Sequence, residues 1–393
     1  MDGLKYSLAL NKKLDQKARE RFTSSLRAYT LIDLAGQLRD DYDGEIALSD
    51  GECKTGEAVH ELLKPRAIFK WYSSLRCTAQ ELVWQSAMNA MAEDPGGLDN
   101  IANACLDEPG GESSDAALLL DPEIALPDYY GEIDVHMMPG NYQGGDSSSG
   151  VAAGALYDNG LDVFSFGMMG RDLDDIGHSM ANYIRLSNPA LEPSIIADIG
   201  CTIGHNTLPW KQVFPNAQVF GIDIAAPCLR YAHARAIAQG VPITFQQASC
   251  EALPFEDNSV DVVFSSMFLH ELPESMIRAY FCEAYRVLKP GGVVINMELP
   301  PNQHLSAYDA FYLDWDCFYN NEPFYKTFRD LSYVELCTAA GFDENQFFQA
   351  TMPRFTYVSE QDFIAAISEE AKFDEDTGRL SDTITWYAFG AQK

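Results

Sequence analysis

Asp198 and Asp223 each close a short apolar run, and the first is followed by Gly200 and Gly204. Ile195, Ile196 and Ala197 leading into an acid and then a glycine predict a buried strand that ends in a tight turn. Without a Cβ in that turn, backbone N–H groups and the start of the next helix can approach a polar ligand closely. A carboxylate at the tip of the second strand, where Asp223 follows residues 217–222, is the group that would hold a ribose diol. The ligand implied is nucleotide-like. The dinucleotide fingerprint G-x-G-x-x-G needs glycines two and five places after Gly200, where this chain has Thr202 and His205, so a nicotinamide-binding turn is excluded.

These residues resemble the class I S-adenosylmethionine (SAM)-dependent methyltransferases, especially the small-molecule group related to ubiquinone and menaquinone methyltransferases. The family's acid followed by G-x-G-x-G reads here as Asp198, Gly200, Thr202 and Gly204, with threonine in the middle place. Residues 246–266, QQASCEALPFEDNSVDVVFSS, resemble the adenine-contacting turn and fourth strand, with Ser249 where the family usually has Asp. YRVLKPGG at 285–292 resembles the turn before the fifth strand. The resemblance covers the C-terminal half and implies a Rossmann-like sheet of seven strands. It also implies SAM as cofactor, S-adenosylhomocysteine as product, and a cofactor-binding set of Asp198, Gly200, Cys201, Thr202, Gly204, Asp223, Ile224, Ser249, Cys250 and Tyr142.

Methyl transfer from a sulfonium depends mainly on positioning and on excluding water, and it needs a base only when the accepting atom carries a proton. His270 in SSMFLHELP, next to Glu271, is the candidate base, because imidazole titrates near neutrality and the carboxylate would fix its tautomer. This pair is the expected catalytic set. It favours O-methylation, with C- and N-methylation open. His136 and Tyr142 in IDVHMMPGNY fall where the family folds a segment over the SAM pocket, which implies that they line it; ordinary loop residues are the other reading. The aromatic stretch 304–328 falls where the family places its substrate cover. Tyr308, Tyr312, Trp315 and Tyr319 are therefore expected to bind a partly apolar or aromatic small molecule, with packing as the alternative. Asp309, Asp314 and Asp316 would tolerate positive charge on that molecule. Two other readings stand beside methyl transfer. One is a SAM-fold enzyme of cyclisation or elimination; the other is a degenerate, non-catalytic partner subunit, prompted by Thr202 and Ser249.

The elements that position these residues follow from periodicity. A mostly α-helical N-terminal domain is expected over 1–130, with Pro65 breaking its helices. A connecting segment near the cofactor pocket follows over 131–190, and the SAM-binding α/β domain runs over 191–393 with an aromatic insertion at 301–328. Strands are expected near 195–199, 218–222, 242–247, 261–267, 293–298, 346–351 and 383–389. The formal net charge of −31 over 393 residues disfavours a nucleic-acid substrate. Between Cys77 and Gly170 there are sixteen acidic residues and no Lys or Arg. The first thirty residues carry seven basic and three acidic side chains; they read as a solvated helix face or as an arm docking on an acidic surface, and a homodimer through the helical half is compatible with this. Nine scattered cysteines without C-x-x-C or zinc spacing lead us to expect reduced thiols, no metal centre and a cytoplasmic location. No run has the apolar length of a membrane span.

Overall fold

Short apolar runs alternating with helices build one mixed sheet. The computed structural model describes residues 8, 10–48, 53–104, 116–143, 150–374, 376–380 and 383–393; Cys105 and the turn-rich stretches 109–114 and 144–149 lie outside the described residues. The strands are β1 (Ala117–Leu119), β2 (Ile195–Ile199), β3 (Gln218–Asp223), β4 (Thr244–Gln247), β5 (Val260–Ser266), β6 (Leu288–Glu298), β7 (Phe347–Pro353) and β8 (Thr385–Gln392). Their order is β1-β4-β3-β2-β5-β6-β8-β7. The first six of these run parallel, and β8 lies antiparallel to both β6 and β7. All seven expected strands form. An eighth, β1, adds itself to the edge of β4 from a region that reads as loop in the sequence.

The chain leaves β2 toward β3 on one side, while β5 packs on the other. That reversal opens a crevice beyond the carboxyl ends of β2 and β5, the place where open α/β sheets bind ligands. The N-terminal helices close over it. Leu38, Val59, Leu63 and Tyr72 share one core cluster with Ile199 and Val263 of the sheet and Tyr280 of the helix Glu274–Val287. Pro65 falls between the helices Gly56–Leu63 and Ala67–Glu93, as its missing N–H and fixed φ require. On the second of these helices, buried Arg76 reaches across to the helix Ala307–Tyr319, where it pairs with Asp316 and donates to Asn320 Oδ1 at 2.5 Å. Among the described residues, no helix is long and apolar enough to cross a membrane.

Candidate active site

The turn after β2 is shaped by three residues of positive φ: Gly200 (+75°), Thr202 (+48°) and Gly204 (+70°). A Cβ on Gly200 would lie 2.2 Å from the Phe268 ring. One on Gly204 would lie 2.8 Å from Phe245, so this glycine serves the packing behind the turn. Thr202 accepts a left-handed conformation that costs an ordinary residue about 1–2 kcal/mol. Its N–H donates to Asp223 Oδ2 at 2.8 Å, which helps to offset that cost. Ala225 N–H donates to Oδ1 at 2.8 Å, so both oxygens of Asp223 are anchored and each keeps a lone pair. Burial raises the Asp223 pKa, and the backbone N–H groups oppose the rise. Asp198, buried on β2, accepts from Thr207 Oγ1 at 2.5 Å through Oδ2, while its Oδ1 has no hydrogen-bond partner among the described residues. Burial pushes its pKa up to about 7.

Two cavities meet at this turn. The first is lined by Asp223, Ile224, Ser249, Cys250 and Glu271, under Tyr129 and Tyr130. The second is larger, about 1390 Å³ including its mouth, and is lined by Asp198, Cys201, His136, Trp84, Tyr312 and Trp386 among others. Tyr142, Gly200, Thr202 and Met267 line both. Every residue of the expected cofactor set except Gly204 therefore borders one cavity or both. The residues present suit SAM: Asp223 offers two carboxylate lone pairs to a ribose, the orphaned oxygen of Asp198 suits an ammonium, and at Gly200 a side chain would meet Phe268.

Near the junction lies a cluster of imidazoles and carboxylates. His136 and Met137 both have positive φ, and the His136 carbonyl is held by Trp84 Nε1 at 2.6 Å and Gln80 Nε2 at 2.7 Å, both from the helix Ala67–Glu93. The His136 ring lies with Nε2 3.0 Å from Glu271 Oε1 and Nδ1 2.8 Å from Glu322 Oε1. Burial alone would lower its pKa, but the two carboxylates override this and raise it to about 10. Glu298, at the end of β6, accepts from Phe268 N–H and Leu269 N–H through Oε1 and bonds His270 Nδ1 at 2.7 Å through Oε2. That fully buried carboxylate fixes the turn carrying His270 and Glu271. It also raises the His270 pKa against the opposing effect of burial. Burial likewise opposes the ionisation of Glu271, but His136 holds it below the ordinary carboxylate range. Tyr142 OH donates to Glu271 Oε1 at 3.4 Å.

Residues 196–292 match the family described as methyltransferase domain. The chain is 35% identical over 109 residues to demethylmenaquinone methyltransferase of Thermus thermophilus, covering 28% of this chain and 49% of that protein. It is 38% identical over 103 residues to malonyl-[acyl-carrier protein] O-methyltransferase of Hahella chejuensis, covering 26% and 36%. Over 160 residues it is 31% identical to a ubiquinone/menaquinone biosynthesis C-methyltransferase of Brucella canis, covering 40% and 53%. The chain thus spans about half the length, or less, of these relatives. The matched segment contains the acid-glycine turn after β2 and the carboxylate at the end of β3.

Several expected site residues lie outside the lining of the two cavities. His270 lines neither cavity; it is buried and stacked on Tyr325 at 3.9 Å between ring centroids. In the aromatic insertion, Tyr312 reaches the second cavity, but Tyr308, Trp315 and Tyr319 do not. Tyr308 packs on Tyr42, and Trp315 packs on His60 and Phe69 of the N-terminal helices. The expected tolerance for a cationic acceptor loses its basis too, because Asp309, Asp314 and Asp316 are paired with Arg379, Arg329 and Arg76. Sequence reasoning missed Glu298 and Glu322, whose partners lie far away along the chain, and the roof residues Trp84 and Arg27.

Proposed function

We propose that the chain is a SAM-dependent methyltransferase acting on a small, partly apolar molecule, with the adenosine of SAM in the first cavity, its amino-acid end reaching past the shared wall to Asp198, and the acceptor in the rest of the second. The observation that carries this reading is the wall shared by the two cavities, built by Gly200 and Thr202 of the turn after β2, Met267 directly after β5, and Tyr142. Asp223 would hold the ribose, Asp198 the ammonium, and Ser249 and Cys250 the adenine end. SAM when bound supplies an electrophilic methyl group on a sulfonium. The chain's own residues orient and enclose: the aromatic wall of Trp84, Phe164, Tyr312 and Trp386 excludes water from an acceptor, which is most of what this reaction asks of a protein.

Oxygen is the preferred accepting atom. His136 lines the acceptor cavity and Glu271 the cofactor cavity, 3.0 Å apart, so an acceptor hydroxyl reaching this junction meets an imidazole able to hold its oxygen and a carboxylate able to accept its hydrogen bond. His270 becomes a positioning residue behind them. The names of the relatives, which include methyl transfer to quinone precursors and to a malonyl thioester, support a small-molecule acceptor without choosing one. Calorimetry with SAM tests the reading. Binding that falls at least tenfold in Asp223→Asn is expected, and a wild-type chain that binds neither SAM nor S-adenosylhomocysteine would return the partner-subunit reading to first place.

A further inference from the structure

We propose that His136, His270 and Glu271 form a binding site for a divalent transition cation, of the zinc or iron class, at the meeting point of the two cavities. Their donor atoms, one from each side chain, all lie within 4.8 Å of one another. The separations are 3.0 Å from His136 Nε2 to Glu271 Oε1 and 3.6 Å from His270 Nε2 to the same oxygen. Ligands held at about 2.0–2.1 Å around a tetrahedral ion stand about 3.3 Å apart, so these spacings bracket what a cation would require. Two imidazoles and one carboxylate, with positions left open, are a donor set that suits zinc and ferrous iron rather than magnesium or calcium.

Three further observations point to a ligand. His270 Nε2 is buried and has no hydrogen-bond partner among the described residues, while the other ring nitrogen is committed to Glu298. His136 likewise has a carboxylate on either side, with Nδ1 2.8 Å from Glu322 though without a formed hydrogen bond, and Nε2 3.0 Å from Glu271. A carboxylate behind each of two histidines is the outer support that metal-bound imidazoles regularly have, fixing the ring and raising its basicity. Finally, three buried or nearly buried carboxylates, Glu271, Glu298 and Glu322, converge on two imidazoles, and Glu322 Oε2 is itself without a partner among the described residues. A doubly charged cation would balance that excess of negative charge. The helix Ala67–Glu93 contributes by holding the strained backbone at His136 through Gln80 and Trp84.

The role of the ion, though not the site itself, rests on the methyl-transfer reading. An acceptor hydroxyl completing the coordination would be held as an oxyanion with its proton passing to solvent. That oxygen would then take the methyl group, and the sulfonium would become a thioether.

Chelator-treated full-length protein titrated with Co²⁺ under anaerobic conditions tests the site without turnover. A single equivalent with intense visible absorption, typical of four- or five-coordinate cobalt, is expected. That spectrum should vanish in His136→Gln, and affinity should fall about 10–100-fold in Glu322→Gln, which leaves all three ligands in place. Circular dichroism of each variant separates lost ligation from lost fold. Only the weak absorption of octahedral cobalt on surface carboxylates, or a strong spectrum unchanged in His136→Gln, would overturn the proposal. SAM calorimetry on the same samples keeps the two readings apart: a cobalt site without SAM binding would sink the methyl-transfer reading and leave the metal site standing.

Discussion

Asp198 carries the sharpest prediction at the level of single residues. Its carboxyl is raised by burial to about 7, from an ordinary value near 3.9 in the unfolded chain. Between those values the folded protein keeps a proton that the unfolded chain has lost, so this group's contribution makes the unliganded protein less stable as pH rises from about 4 to 7. Asp198→Asn should remove that slope in denaturant unfolding curves. An ammonium ligand reverses the preference, because it needs the ionised form. SAM affinity should therefore fall as pH drops below about 7, by up to tenfold per unit, and isothermal titration of Asp198→Asn should show weaker binding with that dependence gone. Gly200→Ala combines a left-handed backbone, costing about 1–2 kcal/mol, with a methyl group driven into Phe268, costing about 1–3 kcal/mol. Chemical unfolding should show a loss of about 2–5 kcal/mol together with loss of SAM binding. A variant as stable as the parent would mean that the turn relaxes freely.

The helix Ala67–Glu93 links fold to chemistry among the elements. It donates from Gln80 and Trp84 to the carbonyl of His136, and through Arg76 it holds the helix of the aromatic insertion. Trp84→Phe keeps the apolar wall but removes one of those donors. Steady-state kinetics should then show a kcat reduced several-fold with SAM affinity unchanged, whereas a purely structural tryptophan would leave kcat intact. Arg76→Ala strands Asp316, which is only partly exposed, and should cost about 3 kcal/mol in unfolding free energy. Much of the sheet was legible because most of its strands are short, largely apolar runs, and β2 and β3 end at an acid or glycine, a local signal. β1 was not, since three residues flanked by turn formers carry no period to read. Asp198, Gly200 and Asp223 were legible as a motif within one βαβ unit. The partners of His136 were not: they stand at 80, 84, 271 and 322, and only the closing of the N-terminal helices over the sheet brings them together. The aromatic insertion misled for a related reason. Its spacing marks a buried face, but the sequence does not say whether ligand or protein covers it.

The whole molecule behaves as one cooperative unit in this picture, because the N-terminal helices share a core with the sheet and also roof the acceptor cavity. A fragment of residues 191–393 exposes that shared core. It should be aggregation-prone or bind hydrophobic dye strongly, and a soluble fragment with a sharp thermal transition would count against the shared core. The common wall of the two cavities has a consequence of a different kind. Tyr142, Gly200, Thr202 and Met267 border both cavities, so on the proposed reading each ligand would feel whether the other is present, and by the same factor in either direction. A methyl group transferred across that wall would add its bulk on the acceptor's side, and coupling that favoured the ternary complex would then turn into mutual repulsion between the products. The same four residues that bring the reactants together would then set the order and the speed with which they part.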